Sequence, residues 1–202
     1  MDSITLYFDS HERFFPIDIN QKAKGFDTKE KCINYYVRKI DDITTWIYYF
    51  MYYVQDDGLK RFHIDSHPND YELVIVEVKG FDVTRICFTP HGRTENFWLS
   101  EEDTQKILKD GKLNIYCSRG KHATYPLKGT IFRYFCFAND TNNHQIECIP
   151  RLVPLTESTI NSPLFAYKKD TLTWDYNTVP TISLWYVRFH MLFVITKYKN
   201  LN

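Results

Sequence analysis

The stretch Thr45-Trp46-Ile47-Tyr48-Tyr49-Phe50-Met51-Tyr52-Tyr53-Val54 decides the fold that we predict for this chain. Side chains alternate between the two faces of a β-strand, so an extended segment with this sequence carries aromatic or aliphatic groups on both faces. A strand of that kind is typical of the centre of a sheet that is covered on both sides. The stretch is too short to span a bilayer as a helix.

Strand-forming segments continue on both sides of this central stretch. Asp56-Asp57-Gly58 has the composition of a turn, and Tyr71–Val78 is again rich in β-branched and aromatic residues. Shorter strands are predicted at Ile4–Phe8, Arg85–Thr89, Leu113–Cys117, Thr130–Ala138 and Ile146–Leu155.

Two short helices are predicted between these strands. After a capping residue at Asp27 or Thr28, helical spacing links four apolar residues: Ile33, Tyr36, Val37 and Ile40. Ser100, which precedes three acidic residues, marks a second helix start, and Gly111 marks its end. Many short strands with two short helices predict an all-β fold, a β-sandwich with two decorating helices and a C-terminal extension.

The C-terminal extension is predicted at 156–202, after a sandwich domain at 1–155. Regular patterning weakens from Thr156 to Asp175, and Ile182–Lys197 could form one long strand or two. Tyr and Trp are favoured at the centres of protein interfaces. We therefore expect the extension to contact a partner through aromatic residues: Phe165, Tyr167, Trp174, Tyr176, Trp185 and Tyr186. The alternative is that Ile182–Thr196 is the last strand of the sandwich.

The charge balance bears on the kind of partner. Of 202 residues, 25 are Lys or Arg and 25 are Asp or Glu, so the formal net charge is zero. A general electrostatic attraction to nucleic acid or to an anionic membrane needs a basic excess, so neither is expected. Neutrality also leaves little repulsion between copies, which favours other proteins in an assembly as partners.

Cysteine usage and the N-terminus bear on location. The five cysteines are widely spaced without a Cys-x-x-Cys pair, which predicts reduced, mostly buried thiols. The N-terminus lacks the basic-then-apolar pattern of a signal peptide, and no transmembrane segment is predicted. The expected location is cytoplasmic or in a virion. The abundance of Ile, Lys, Asn, Tyr and Phe points to an A/T-rich genome, such as that of a large DNA virus.

The densest polar cluster lies at 62–72 and runs directly into a predicted strand. Residues i and i+2 of a strand share a face, so Asp70 and Glu72 point the same way, and His67 precedes them in a turn set by Pro68. Carboxylates suit Ca²⁺, Mg²⁺ or Mn²⁺, and an imidazole shifts the preference toward Mn²⁺ or Zn²⁺. The cluster is therefore a candidate site for one divalent cation. The alternative is that these are solvated residues at a strand start.

His122 is a further candidate, either as a cation ligand or as a residue that orients one. Gly120 before it and Tyr125-Pro126 after it indicate a fixed loop. His91 is a candidate for the same two roles. For each, the alternative is a histidine whose ring bonds a loop carbonyl.

The segment His67-x-x-Asp70-Tyr71-Glu72, followed by a β run, resembles the His-Glu-Gly-Asp-Trp-Glu signature of the vacuolar protein sorting-associated protein 62 family. Four further segments resemble elements of that family: Leu6–Pro16, Thr45–Tyr53, Thr89–Gly92 and Ser118–Pro126. All five occur in the family's order and cover residues 4–155. The resemblance implies a β-sandwich over that range.

The necrosis-inducing (Nep1-like) proteins carry a related His-x-x-Asp-Trp-Glu motif, in which the His, Asp and Glu bind a cation. By resemblance, the corresponding positions here are His67, Asp70 and Glu72. The chain departs from the pattern in that Tyr71 replaces Trp and Pro68-Asn69 replaces Glu-Gly.

Two classes of function fit these features. The chain has no Gly-x-Ser-x-Gly elbow, no phosphate-cradling glycine loop and no His-Glu-x-x-His motif. This favours a non-catalytic structural or interaction protein, such as a minor capsid protein or another virion component of a large DNA virus. The alternative is a metal-dependent hydrolase or a membrane-active protein that uses His67, Asp70 and Glu72.

Overall fold

The computed structural model describes residues 3–26, 28–58, 66–90, 95–131, 140–143, 145–166 and 169–187. Within these ranges the chain forms the following strands, in order: β1 (Ser3–Phe8), β2 (Cys32–Lys39), β3 (Thr44–Asp56), β4 (His67–Lys79), β5 (Asp82–Phe88), β6 (Phe97–Leu99), β7 (Leu108–Lys109), β8 (Lys112–Cys117), β9 (Thr124–Tyr125), β10 (Gly129–Ile131), β11 (Asp140–Asn142), β12 (Ile146–Cys148), β13 (Arg151–Pro154) and β14 (Thr181–Ile182). The helices are short: α1 (Ile19–Ala23), α2 (Glu101–Ile107), α3 (Glu157–Ile160) and α4 (Lys169–Thr173).

Two sheets carry most of these strands. The larger has seven strands in the order β13-β2-β3-β4-β5-β6-β14, and the smaller has five, with β12-β1-β8-β7 in a row and β9 paired to β8. Apolar side chains of both sheets form one core cluster, in which Leu6 of β1 and Ile115 of β8 meet Met51 of β3 and Val76 of β4. The two sheets therefore pack face to face, and the prediction of an all-β fold is confirmed.

The central strand β3 is buried on both faces, as its sequence predicts. Tyr49, Met51 and Tyr53 belong to the core cluster between the two sheets. The alternate residues point to the opposite face, where a second cluster forms: Trp46, Tyr48, Phe50 and Tyr52. The strand thus contributes to both cores.

The helix predicted after Asp27 or Thr28 is wrong, because β2 occupies this part of the chain. β2 pairs antiparallel with β3 and parallel with β13. Ile33 lies in the core between the sheets, whereas Tyr36 packs against the second cluster. Burial on both faces places apolar residues at odd and even positions, and some of them then match helical spacing. The helix predicted after Ser100 is confirmed as α2, with the Ser100 side chain accepting from the Asp103 N–H, but it ends at Ile107 rather than at the predicted Gly111 because β7 begins at Leu108.

The second cluster is covered by the segment that follows β13. Phe165 is fully buried there against Phe50, with ring centroids 5.2 Å apart, and Tyr176 is buried beside Trp46. Arg38 of β2 donates hydrogen bonds to main-chain carbonyls of this segment, and β14 pairs with β6. The described part of the predicted extension is therefore packed onto the larger sheet as a third layer.

This packing corrects the predicted interface. Phe165 and Tyr176 cannot contact a partner, because they are buried within the chain. Trp174 and Tyr186 are half-buried, and Trp185 is 64% exposed. Tyr167 lies outside the described residues. Residues 184–187 are helical, so the strand predicted from Ile182 onward is wrong over that stretch.

Two other sequence-based expectations concern cysteines and membrane spans. The four described cysteines, Cys32, Cys87, Cys117 and Cys148, are free and buried, as predicted. Cys136 and most of the strand predicted at Thr130–Ala138 lie outside the described residues. Among the described helices, none has the length and apolar character to cross a membrane.

A buried carboxylate joins three neighbouring strands of the larger sheet. Glu77 of β4 accepts hydrogen bonds from Arg85 Nε at 2.9 Å, Thr84 Oγ1 at 2.8 Å and Trp46 Nε1 at 3.1 Å. Burial alone would raise the pKa of Glu77, but these donors and the Arg85 charge outweigh it and lower the pKa to about 2. Glu77 is thus held as a carboxylate by its neighbours on β3 and β5.

We predict that Phe165→Ala lowers the free energy of unfolding by about 3–5 kcal/mol, because it removes a large buried ring from the second cluster. Urea denaturation measures the change. The matched control is Trp185→Ala, an aromatic truncation at an exposed position, for which we expect a change within about 0.5 kcal/mol. Equal losses for the two variants would show that the segment does not cover the sheet.

We also predict that the Glu77 network weakens in acid. Because folding lowers the pKa of Glu77 from 4.5 to about 2, its contribution is complete above pH 4.5 and is lost as the pH falls toward 2. The melting temperature of the wild-type protein should exceed that of Glu77→Gln at pH 6, and the gap should narrow between pH 4.5 and 2. A gap that stays constant over this window would contradict the assignment.

Candidate functional site

The pairing of β3 with β4 brings polar residues together at one end of the larger sheet. Asp56, the last residue of β3, lies opposite His67, the first residue of β4. Three residues further along β4, Asp70 lies opposite Tyr53. Asp70 points toward the smaller sheet, as do Tyr53 and the core residues Val74 and Val76 that share its strand face.

Asp56, His67 and Asp70 form a candidate cation site. One ligand atom from each residue lies within 4.8 Å of the others, and His67 Nε2 is 3.8 Å from Asp56 Oδ2. Both aspartates are buried, whereas His67 is exposed and faces the solvent side of the group. Two carboxylates and one imidazole match the donor set of Mn²⁺ or Zn²⁺ sites.

The electrostatics of Asp56 also favour a cation. Burial raises the pKa of Asp56, and the nearby negative charge of Asp70 raises it further; a backbone N–H from Gly58 opposes these two effects. A bound cation would neutralise both carboxylates and remove the repulsion between them. The residues present therefore fit a divalent cation.

A left-handed backbone at Asn69 shapes the approach to Asp70. Asn69 has a φ of 60°, a conformation that Asn tolerates better than most residues with a side chain. Its Oδ1 accepts a 2.7 Å hydrogen bond from the Tyr52 hydroxyl. Asn69 thus supplies the local turn without glycine.

His122 lies directly behind Asp70. Its Nδ1 donates to Asp70 Oδ2 at 2.9 Å, and its Nε2 is 3.4 Å from Glu12 Oε1. The imidazole is fully buried and stacks on the Tyr53 ring, with centroids 3.8 Å apart and planes inclined by 4°. Both ring nitrogens face carboxylates, so neither is available to a cation in this arrangement.

The charge state of His122 follows from these contacts. Burial alone would lower its pKa, but the hydrogen bonds and negative charges of Asp70 and Glu12 outweigh burial and raise the pKa to about 9. The ring is therefore a buried imidazolium at neutral pH. It compensates the charge of Asp70 and fixes the orientation of that carboxylate.

Glu12 completes the arrangement from the loop after β1. Burial would raise its pKa, but His122 and the backbone N–H groups of Gly120 and Phe14 lower it to about 2. The Gly120 N–H donates to Glu12 Oε2 at 2.8 Å. His122 itself has a φ of 58° and donates its backbone N–H to Ser118 O at 2.9 Å. A strained residue held by several hydrogen bonds is typical of a functional site.

The structure brings together only part of the predicted site. His67 and Asp70 meet, as predicted. Glu72 is buried deeper between the sheets and is not one of the three residues whose ligand atoms meet. His122 was predicted either as a cation ligand or as a residue that orients one; both of its ring nitrogens contact carboxylates, which contradicts the first role and agrees with the second. His91 lies outside the described residues.

Sequence reasoning missed two members of the site, Asp56 and Glu12. Asp56 was assigned only to a turn, although a hairpin between the two long strands would place it opposite His67. Glu12 lies in the Leu6–Pro16 segment, which was quoted for its family resemblance. Nothing in the residue spacing of that segment indicates that the Glu12 carboxylate contacts His122.

Comparisons with known proteins support the fold. No family model and no curated protein matches the chain. One solved structure with the description "Toxin fold for microbial attack and plant defense" is similar, with a TM-score of 0.52 over 85% of this chain and 85% of that one, at 14% sequence identity. At this identity the likeness concerns the fold alone, and the resemblance to the sorting-associated family stays a prediction.

We predict that His122→Ala lowers the free energy of unfolding by about 3–5 kcal/mol, because it leaves the buried carboxylates of Asp70 and Glu12 without their shared cation. Urea denaturation at pH 7 with a chelator present measures the effect. The control is His67→Ala, at an exposed position, with an expected change within about 0.5 kcal/mol. A similar loss in both variants would contradict the role of His122.

Proposed function

We propose that this protein is a non-catalytic, divalent-cation-binding protein, and that Asp56, His67 and Asp70 hold the cation. The observation that carries the proposal is the convergence of these three side chains, with ligand atoms within 4.8 Å, at one end of the β3–β4 pair. The three residues come from two strand ends joined by a long ladder of backbone hydrogen bonds, so their spacing is fixed by the sheet.

The buried groups that contact Asp70 support the proposal that the three side chains bind a cation and do not lie close together by chance. A carboxylate that binds a cation is commonly oriented by a second hydrogen-bonded group, and loss of such a group weakens affinity by about 10- to 100-fold. Asp70 has such a partner in His122, which is itself fixed by Glu12. Asp70 is thus held in position before a cation arrives.

A binding role is favoured over hydrolysis by the character of the surrounding groups. The thiols of Cys117 and Cys87 are buried, and burial raises the pKa of each well above its ordinary value, so neither is an activated nucleophile. The His122 imidazolium is already protonated and enclosed by carboxylates, so it is poorly suited as a general base. Metal-dependent hydrolysis remains the alternative proposal, and assays of loaded protein against ester and phosphoester substrates test it.

The fold likeness indicates where a biological role is to be sought. The similar solved structure is described as a toxin fold, and we propose toxin-type, cation-dependent activity as the class to examine for this chain. The minor capsid or virion role stays a prediction from composition, as does a role in a protein assembly.

The direct test is isothermal titration calorimetry of the chelator-treated protein with Mg²⁺, Mn²⁺, Ca²⁺ and Zn²⁺. We expect one site per chain for at least one of these cations. Asp70→Asn and Asp56→Asn should each weaken binding by at least 100-fold, and His122→Gln by about 10- to 100-fold because the oriented hydrogen bond is altered. Cation should also raise the melting temperature of the wild-type protein by mass action.

The matched control is Asp42→Asn, which neutralises a fully exposed aspartate on the turn between β2 and β3. Binding should be unchanged in this variant. Glu72→Gln tests the wider ligand set predicted from the sequence, and we expect it to retain cation binding. The proposal fails if the wild-type protein binds no cation, or if Asp42→Asn weakens binding as strongly as Asp70→Asn.

A further inference from the structure

The imidazole of His67 is held in one tautomer by its own turn. Its Nδ1 lies 3.3 Å from the carbonyl oxygen of Pro68, and a carbonyl oxygen only accepts hydrogen bonds. Nδ1 therefore carries the proton, and in the neutral ring Nε2 carries the lone pair. Metal-binding histidines commonly have this arrangement, in which the other ring N–H donates to a carbonyl or a carboxylate.

The Nε2 atom of His67 is the ring nitrogen that remains to bind a cation. It lies 3.8 Å from Asp56 Oδ2, which is too long for a direct hydrogen bond. One ligand atom each from Asp56, His67 and Asp70 lies within 4.8 Å of the others. Because its ring is exposed, His67 also forms the side of the group that a cation reaches from solvent.

Two carboxylates close to the site are engaged by other donors. Asp57 accepts two hydrogen bonds from the Arg13 guanidinium, at 2.5 and 3.3 Å. Glu12 accepts from the backbone N–H groups of Arg13 and Gly120, and it contacts the buried ring of His122. The three-residue group therefore gains no further carboxylate from Asp57 or Glu12.

The number and kind of donors separate the divalent cations. Ca²⁺ takes about six to eight oxygen ligands, and Mg²⁺ prefers oxygen ligands in a near-ideal octahedron. Imidazole suits Zn²⁺, which binds a given set of nitrogen and oxygen donors more tightly than Mn²⁺ does. Zn²⁺ sites with an open position use three protein ligands, drawn from imidazole, carboxylate and thiolate groups. Asp56, His67 and Asp70 supply a set of this kind.

We propose that His67 makes this site selective for Zn²⁺ over Mg²⁺ and Ca²⁺, because the lone pair of Nε2 is the donor that distinguishes these cations. The inference rests on the proposed function, and it adds the identity of the cation and the residue that selects it. Asp56 and Asp70 provide negative charge for any divalent cation, whereas the imidazole favours Zn²⁺. Replacing the imidazole by a carboxylate should therefore change the order of affinities without abolishing binding.

The experiment is calorimetric titration of the chelator-treated full chain at neutral pH with Zn²⁺, Mn²⁺, Mg²⁺ and Ca²⁺ in separate runs. We expect the wild-type protein to bind Zn²⁺ more tightly than Mg²⁺ or Ca²⁺ by about tenfold or more, with Mn²⁺ between them. His67→Asp offers three carboxylates, so its ratio of Zn²⁺ affinity to Mg²⁺ affinity should fall by about tenfold or more. Binding of Mg²⁺ or Ca²⁺ should be retained or strengthened in this variant.

The matched control pair is His67→Asn and His11→Asn. His11 is a second exposed histidine, and its ring contacts Asp9 outside the candidate site. His67→Asn should weaken Zn²⁺ binding by about tenfold or more, whereas His11→Asn should bind Zn²⁺ like the wild-type protein. The comparison separates the site from general Zn²⁺ binding by surface imidazoles. Equal melting temperatures of the metal-free variants verify that they remain folded.

Long-range proton–nitrogen NMR of the His67 ring reports the tautomer itself. In the metal-free protein, Nδ1 should carry the proton and Nε2 should not. Addition of Zn²⁺ should shift the Nε2 resonance while Nδ1 keeps its proton. Coordination of Zn²⁺ through Nδ1 would contradict the tautomer on which the inference depends.

The titrations also show which proposal has failed. Wild-type protein that binds Mg²⁺ or Ca²⁺ as tightly as Zn²⁺, or His67→Asp with the wild-type order of affinities, would overturn the selectivity. An equal loss of Zn²⁺ affinity in His11→Asn and His67→Asn would do the same. In each case a single cation site that is lost in Asp70→Asn would leave the proposed function standing. Absence of binding by all four cations would overturn both proposals.

Discussion

The antiparallel pairing of β3 and β4 is the constraint on which the rest of the structure depends. These two 13-residue strands pair from Thr44–Lys79 at one end to Asp56–His67 at the other. The ladder fixes a register in which alternate residues face opposite cores, and a slip by one residue would invert both faces. It also fixes which residues lie at each end of the pair, since the cation candidates lie at the Asp56–His67 end and the turns that carry Ile43 and Phe81 lie at the other.

The end of the sheet that carries Asp56 and Asp70 holds buried charges that neighbouring groups must compensate. Asp56 and Asp70 are buried carboxylates, and buried charge is costly unless it is paired and hydrogen-bonded. His122 supplies a cation for Asp70 from behind, and Glu12 in turn accepts hydrogen bonds from the loop that carries His122. Asp56 is compensated less completely: burial and the charge of Asp70 raise its pKa, although the charges of His122 and His67 oppose them. This incomplete compensation is consistent with the cation binding that we propose for the site.

The strand content and the face assignments could be predicted from sequence because they follow from local alternation. Tyr71 is buried opposite Asp70 and Glu72, as strand geometry requires. The β2 segment was assigned to a helix because burial on both faces leaves a pattern that helical spacing also fits. Phe165 was predicted to lie in an interface, but its ring packs against Phe50 on the outer face of β3. Because the two residues are more than 100 positions apart in the chain, residue patterning could not predict this contact.

The candidate site was predictable only where its residues are adjacent in sequence. His67 and Asp70 lie within one short motif, whereas Asp56 reaches them across a hairpin and His122 arrives from the smaller sheet. The predicted cluster also included Glu72, which is buried deeper between the sheets. Which carboxylates meet depends on register and on how the two sheets are stacked, and neither property is written in residue spacing.

The most direct test of the account is anomalous diffraction from crystals of this protein grown or soaked with Mn²⁺. The account predicts a single strong anomalous peak between the Asp56 and Asp70 carboxylates and the His67 ring, with ligand distances of about 2.0–2.4 Å, close to those of other divalent cations on oxygen ligands. It also predicts that His122 stays hydrogen-bonded to Asp70 rather than to the metal. A peak coordinated by His122 or Glu72 in place of Asp56, or well-ordered crystals without any peak at this end of the sheet, would contradict it.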